Sequence, residues 1–496
     1  MFHCPGAFPD PAGVLRSPCG PGDRALQECN PSTGSSLDCG CIPPAPAQAW
    51  AGVFSAADAS ASQGQSEKLI FFLSAVRPPF SSGLPTNSAT DPKKRIKPTR
   101  CDFNTLRQVC NYIPAYLVPR LARECEIDAR GFSPWSHVVS LLSAQMAHSI
   151  GLNDVCDSLN LHSGPLSTIR GATPPSRNGL SNANRERSPE MAEKLFWAMR
   201  QHLGEQSPGF IRGKGRGAAY RFKAPISIMD STVIQLVANN LDWAKHRRRK
   251  AAAKTHLRLS LQSLLPPCVI IDTAKEHDNQ RARELCAGLQ EGEIAIFDKA
   301  YIDYGHLLDL GNRGVSWVTR AKDNMAYEVY TELPVEKGSK ILSDEVVVLK
   351  DSNKAAPEYV RLVRALVEVD GEEREMTFMT NNLKWSAQSV VDLYQCRWEI
   401  EVFFKQVKQT LQIADFLGNN ENAVKWQIWM ALLLYVLLRY LSYLSNWSHS
   451  FTRLFTVLRA AMWEKFDLLK LLKCYGTAGG SFRNLARPEQ AYFAGF

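Results

Sequence analysis

The chain has no uninterrupted apolar run of membrane-spanning length. Its most apolar stretch, Trp426 to Leu438, has thirteen residues, contains Gln427 and ends at Arg439, where a span needs about 20. That stretch reads as a buried core helix. The N-terminus, MFHCPGAFPDPAG, lacks the basic n-region and apolar h-region of a secretory signal. No Cys-x-x-Cys pair occurs among the thirteen cysteines, and no Cys/His set has zinc-finger spacing. Five cysteines crowd into the first 41 residues. The other eight are scattered, as expected of reduced, buried thiols in a cytoplasmic protein. No internal repeat is visible, and 22% charged with 45% apolar residues excludes collagen-like and wholly disordered classes.

Acidic residues are scarce where basic ones gather. From Phe210 to Leu264 stand twelve basic residues: Arg212, Lys214, Arg216, Arg221, Lys223, Lys245, Arg247, Arg248, Arg249, Lys250, Lys254 and Arg258. Only Asp230 and Asp242 oppose them, so this stretch carries +10 in a chain whose net charge is +9. Such a concentration points to a polyanion partner. A solvated face is the alternative for any charge run. The segment RGKGRG from Arg212 resembles a phosphate-cradling loop but lacks the Gly-Lys-Ser/Thr ending of a P-loop.

Residues 1 to 98 are rich in Pro, Gly, Ser and Ala and have almost no periodicity. They are expected to be a disordered extension, or to reflect a start codon placed too far upstream. Order begins near Arg100. Ser133-Pro134 pairs an N-cap with a proline at the first helical position, and WSHVVSLLSAQMAHSI and SPEMAEKLFWAMRQH have helical spacing. These segments predict a small all-α domain over 99–208, interrupted by a basic polar segment with Arg177, Asn178, Arg185 and Arg187. From Tyr220 the period changes. FKAPISIMDSTVIQLV, KTHLRLSLQS, PPCVIIDTA and EIAIFDKAY read as strands, with the helix QRARELCAGL between the last two. A block of alternating strands fills 315–380, then long helices follow. The expected class is α/β: a core in two parts, 209–314 and 381–450, split by the strand block, with a helical tail over 451–496.

Asp230 ends the run ISIM and Asp298 ends IAIF, and a carboxylate at the C-terminal end of a buried strand faces the crevice where open α/β sheets bind ligands. Asp272, after VII, is placed in the same way, and strand ends alone do not rank the three. The segment YQCRWEIEVFFKQVK adds Tyr394, Arg397, Glu401 and Lys408. At about 100° per residue their helical offsets fall at about 0, −60, −20 and −40°, one narrow stripe. Tyr, Arg, Glu and Lys suit a metal-holding glutamate among phosphate contacts. His277-Asp278 is as well explained by a structural pair as by a metal. Trp243, Trp317 and Trp385 fit core packing better than base stacking.

The pattern Y-x2-R-x3-E-x6-K, preceded by MDST and FDKAYID, resembles the DDE transposases of bacterial insertion sequences, in the branch called family four. The resemblance covers about residues 100–450 and implies a ribonuclease H-like core interrupted by a β-strand insertion. It implies Asp230, Asp298 and Glu401 as catalytic, metal-binding residues, with Tyr394, Arg397 and Lys408 contacting DNA. Arg247, Arg248, Arg249 and Lys254 join them from the basic stretch. The implied activity is DNA cleavage at transposon ends and joining to target DNA. The cofactors implied for such a carboxylate site are Mg²⁺ or Mn²⁺, two ions per site. The implied partner is double-stranded DNA, terminal repeats and target, bound by a homodimer in the bacterial cytoplasm at the nucleoid. A nuclease with the same core, or an inactive DNA-binding relative, is the alternative.

Overall fold

The structure, a computed structural model, describes residues 98–475 apart from 129–130, 214–220, 237–244, 247–249, 274–277, 351–358, 370, 412–416 and 419. The N-terminal extension, Trp243, Arg247, Arg248, Arg249 and His277 lie outside the described residues.

Helices come first in the chain. They are α1 (Thr105–Cys110), α2 (Leu117–Glu124), α3 (Pro134–Ala147), α4 (Leu152–Leu161), α5 (Ser163–Ser167), α6 (Arg177–Glu186), α7 (Glu190–Gln206) and α8 (Pro208–Arg212). Local chemistry sets their starts. Ser133 accepts from the Ser136 N–H at 3.0 Å with Pro134 at the first position, and Asn104 accepts from the Arg107 N–H at 2.7 Å. The basic polar segment expected to interrupt the helices is itself the helix α6. Ser176 caps it, and Leu180, Ala183 and Asn184 bury one face. Two apolar residues in ten give too faint a period to announce a helix.

The strands are β1 (Ile226–Leu236), β2 (Lys245–His246), β3 (Lys250–Ser260), β4 (Cys268–Thr273), β5 (Ile294–Phe297), β6 (Ser316–Arg320), β7 (Tyr327–Glu332), β8 (Ile341–Leu349), β9 (Val360–Val369) and β10 (Glu372–Thr380). Among the described residues they form one ten-stranded sheet in the order β2-β3-β1-β5-β6-β10-β9-β8-β7, with β4 also paired to β3. β1, β3 and β4 are antiparallel neighbours. β5 lies parallel to β1, and β6 parallel to β5. Parallel pairing requires crossovers, supplied by α9 (Asp278–Cys286) and α10 (Tyr304–Asn312). All four residues of β5 are buried, as in a strand covered on both faces. The strands of the 315–380 block pair edge to edge with this core rather than folding apart from it, through β6 and β10.

Last come α11 (Ala387–Gln395), α12 (Trp398–Lys405), a π-helical turn (Gln406–Thr410), α13 (Glu421–Leu444), α14 (Phe451–Ala460) and α15 (Leu468–Cys474). α13 is long and apolar enough to pass for a membrane span, but 78% of its most apolar window is buried inside the protein. It packs against α3, α6 and α7 and forms one apolar layer with Ile226, Ile228, Leu257 and Leu259 of the sheet. Met229, Ala295, Phe297 and Trp317 form the other layer with Leu285, Leu307 and Leu310 of the crossover helices. Two covered faces hold the middle of the sheet rigid, and the carboxylates discussed next stand on that middle.

Candidate active site

β1 and β5 run side by side with Met229 opposite Phe297. The next residue on each strand is an aspartate, so the register brings Asp230 and Asp298 together at the point where parallel pairing stops. Asp298 ends its strand as expected. Its carboxylate accepts the Lys299 N–H at 2.7 Å and caps the short 3-10 turn Lys299–Tyr301. Asp230 does not end its strand. β1 runs on to Leu236 because the eleven-residue β3 continues to pair with it, Leu257 opposite Asp230. Asp230 accepts the Ser231 N–H at 2.8 Å.

The segment carrying Glu401 is not the continuous helix that the stripe assumed. It breaks at Cys396–Arg397 and widens into the π turn after Lys405. Tyr394 lies in the last turn of α11, Arg397 on the break, Glu401 in α12, and Lys408 in the π turn. Three of the four still converge. Arg397 Nη1 donates to Asp230 Oδ2 at 3.2 Å and Nη2 to Glu401 Oε1 at 2.5 Å. Tyr394 Oη donates to Asp298 Oδ1 at 3.3 Å. One guanidinium and one phenol thus join three carboxylates drawn from a strand middle, a strand end and a helix. Lys408 is half-buried, which lowers its pKa, and among the described residues no hydrogen bond or ion pair joins it to this group. A π turn rotates later side chains by less per residue than an α-helix does, so an α-helical projection misplaces the last member.

The electrostatics follow from burial and like charge. Burial pushes Asp230 up to about 6, with Asp298 and Glu401 adding to the shift and Arg397 opposing it. Burial also raises Tyr394 to about 12, so its phenol stays protonated and is a donor, not a nucleophile. Burial disfavours the Arg397 charge, yet Tyr394, Glu401, Asp230 and Asp298 together hold its pKa above the ordinary value.

As the side chains stand, no group of three Asp, Glu, His or Cys among the described residues could hold one metal ion. Arg397 spans two of the three carboxylates instead. The donor chemistry nonetheless fits a hard divalent cation. The candidate donors are carboxylate oxygens only, carried on separate elements, and burial raises the pKa of one of them, Asp230, to about 6.

Beside Asp298 opens a cleft of about 560 Å³ lined also by Lys299, Ala300, Lys322, Asp323 and Asn324. Lys299 pairs with Asp323 at 3.1 Å, and Lys322 donates to the Ile302 carbonyl at 3.2 Å. Neither lysine stood out in the sequence, although Lys299 directly follows Asp298. The basic stretch divides. Arg258 is only 8% exposed and belongs to the interior, not to a polyanion surface, because its strand is paired on both edges. Arg221 pairs with Asp392, and Lys254 is half-buried on β3. Asp272 is held by Arg281 at 2.5 Å, a structural ion pair. Trp317 is fully buried, and Trp385 packs edge-on to Phe222.

Residues 221–437 match the transposase DDE domain, and the three carboxylates fall inside that span. The chain belongs to the insertion-sequence DDE transposases. Residues 104–169 match a second family, a domain of unknown function (DUF4372). Among similar proteins, y4zB of Sinorhizobium fredii, named as a transposase, is 28% identical over 327 residues, 64% of this chain and 86% of that protein. A transposase of insertion sequence element IS5377 from Geobacillus stearothermophilus is 31% identical over 225 residues, 45% of this chain and 58% of the relative. Transposase InsG of element IS4 from Escherichia coli is 27% identical over 194 residues, 37% and 42% of the two chains. This transposase therefore acts in DNA transposition, and divalent-metal dependence goes with its DDE domain.

Proposed function

We propose that Asp230, Asp298 and Glu401 are the catalytic carboxylates, and that this transposase cuts the ends of its element and joins them to target DNA by metal-dependent phosphoryl transfer. The observation that carries this is the meeting of three carboxylates from β1, β5 and α12 on one arginine and one tyrosine. The strand order β4-β3-β1-β5-β6, three antiparallel strands followed by two parallel ones reached through helices, supports reading the core as ribonuclease H-like. On that reading β7 to β10 are the insertion before the glutamate. Residues 99–208 form the helical DNA-binding domain, 209–314 and 381–450 the two parts of the core, with β6 of the 315–380 block joined to the first part, and 451–496 the tail, helical over its described part.

The three carboxylates would hold Mg²⁺ or Mn²⁺, two ions per site. Bound there, they supply charge for the attacking and leaving oxygens of an in-line displacement. Water attacks the phosphorus at the transposon end and frees a 3′-hydroxyl, which then attacks a second phosphodiester. The protein residues position and neutralise. Asp230 must shed its proton to act as a ligand, which its raised pKa makes easy only above about 6. Arg397 and the neutral Tyr394 phenol are placed to take phosphate oxygens, the first with charge-assisted hydrogen bonds. Lys408, together with Arg247, Arg248, Arg249 and Lys254, would hold DNA further from the cut. The substrate is double-stranded DNA, bound by a homodimer in the cytoplasm at the nucleoid. The test is incubation of the purified protein with duplexes bearing its element's ends, a target plasmid and Mg²⁺. Joined products are expected for the natural chain and none for Asp298→Asn. Cut but never joined ends would mark a nuclease instead.

A further inference from the structure

We infer that Arg397 gates divalent-ion uptake: it occupies the carboxylates in the DNA-free protein and releases them when a DNA phosphate takes its guanidinium. The inference rests on the assignment of Asp230 and Glu401 as ion ligands made above. Its own ground is the geometry of Arg397. The guanidinium bridges Asp230 at 3.2 Å and Glu401 at 2.5 Å, and the three side chains are only 18%, 20% and 33% exposed. A single cation already bridges two of the three ligands, in partial burial where a charge pair is costly to break. An arriving divalent ion must displace it, and the displaced guanidinium then needs another anion.

The arginine is built to accept one. Its Nε–H is buried and has no acceptor among the described residues, so the present arrangement leaves one donor unsatisfied. A phosphate takes a guanidinium through two parallel N–H bonds, which could include this one. Arg397 stands at the N-terminus of α12, on the two-residue turn that follows α11. DNA and metal would therefore bind cooperatively, each removing the competitor of the other, and the coupling must be reciprocal.

The test uses the full chain, Mn²⁺ binding followed by electron paramagnetic resonance, and a short duplex bearing the element's end. DNA-free natural protein is expected to bind Mn²⁺ at least tenfold more weakly than its DNA complex. DNA-free Arg397→Met should bind like the complex and gain less than threefold on adding DNA. Saturating Mn²⁺ should tighten DNA binding of the natural chain by the same factor that DNA tightens Mn²⁺ binding. Equal Mn²⁺ affinity with and without DNA in the natural chain overturns the gate, and does so even if Arg397→Met fails to fold. Failure of the underlying assignment looks different. In that case Glu401→Gln bound to DNA would take up Mn²⁺ as well as the natural chain does.

Discussion

Asp344 and Arg361 form an ion pair buried in the sheet extension, and breaking it should cost far more than any surface pair. Both side chains are 4% exposed. Arg361 Nε and Nη2 donate to the two Asp344 oxygens at 2.7 and 2.6 Å. Its remaining Nη1 donates to the carbonyls of Leu383 and Trp385. Asp344→Ala leaves a buried guanidinium with its carboxylate gone, an uncompensated charge worth about 3–5 kcal/mol of stability. The double variant Asp344→Leu with Arg361→Met removes both charges. It should cost only the two carbonyls left without that donor, about 1–3 kcal/mol. Urea denaturation followed by circular dichroism reads both, with the midpoint shift converted through the slope. The effect should reach the active site as well. Leu383 and Trp385 lie just before Ser386, whose hydroxyl caps α11, the helix bearing Tyr394. An Asp344→Ala cost under about 1 kcal/mol, or a double variant no more stable than the single, would refute the reasoning.

Acid should destabilise the protein through buried imidazoles. Burial pulls His137 down to about 3 and His306 to about 4, whereas both titrate near 6.5 when unfolded. The unfolded state therefore binds more protons below 6.5, and stability falls as pH drops from there toward the folded values, by up to about 1.4 kcal/mol per pH unit for each group. His137→Gln should flatten that slope, and an unchanged slope between pH 6.5 and 4.5 would sink the assignment. Neutralising Arg247, Arg248 and Arg249 together should weaken binding to all DNA sequences and flatten the salt dependence by up to about 0.9 per lost phosphate contact. An unchanged salt slope would mean that these arginines are merely solvated.

What was legible in the sequence was local. The Ile-rich runs before Asp230 and Asp298 announced buried strands, Ser133-Pro134 a helix start, and the Tyr-Arg-Glu spacing a shared target. What was not legible depends on partners distant in the chain. The run STVIQLV after Asp230 allows β1 to continue, but whether it pairs there is decided by the length of β3. Nothing in Arg258 separates it from its exposed neighbours, since its burial is set by pairing with β1 and β4. Arg361 and Asp344 are seventeen residues apart on neighbouring strands, and only the register makes them a pair. The break at Cys396–Arg397 and the π turn carry no proline or glycine to mark them, so a regular helix was the natural reading of that segment.

The central claim is that Glu401 shares metal with Asp230 and Asp298, whereas Glu399, two residues earlier on α12 and so about 160° round the helix, does not. It is tested most directly by end cleavage and end binding measured side by side for two variants. Glu401→Gln keeps the shape and removes the charge that offsets a divalent ion. Its cleavage in Mg²⁺ should fall by orders of magnitude while it still binds element ends. Glu399→Gln should cut nearly as well as the natural chain. Loss of cleavage in Glu399→Gln with cleavage kept in Glu401→Gln would contradict the account.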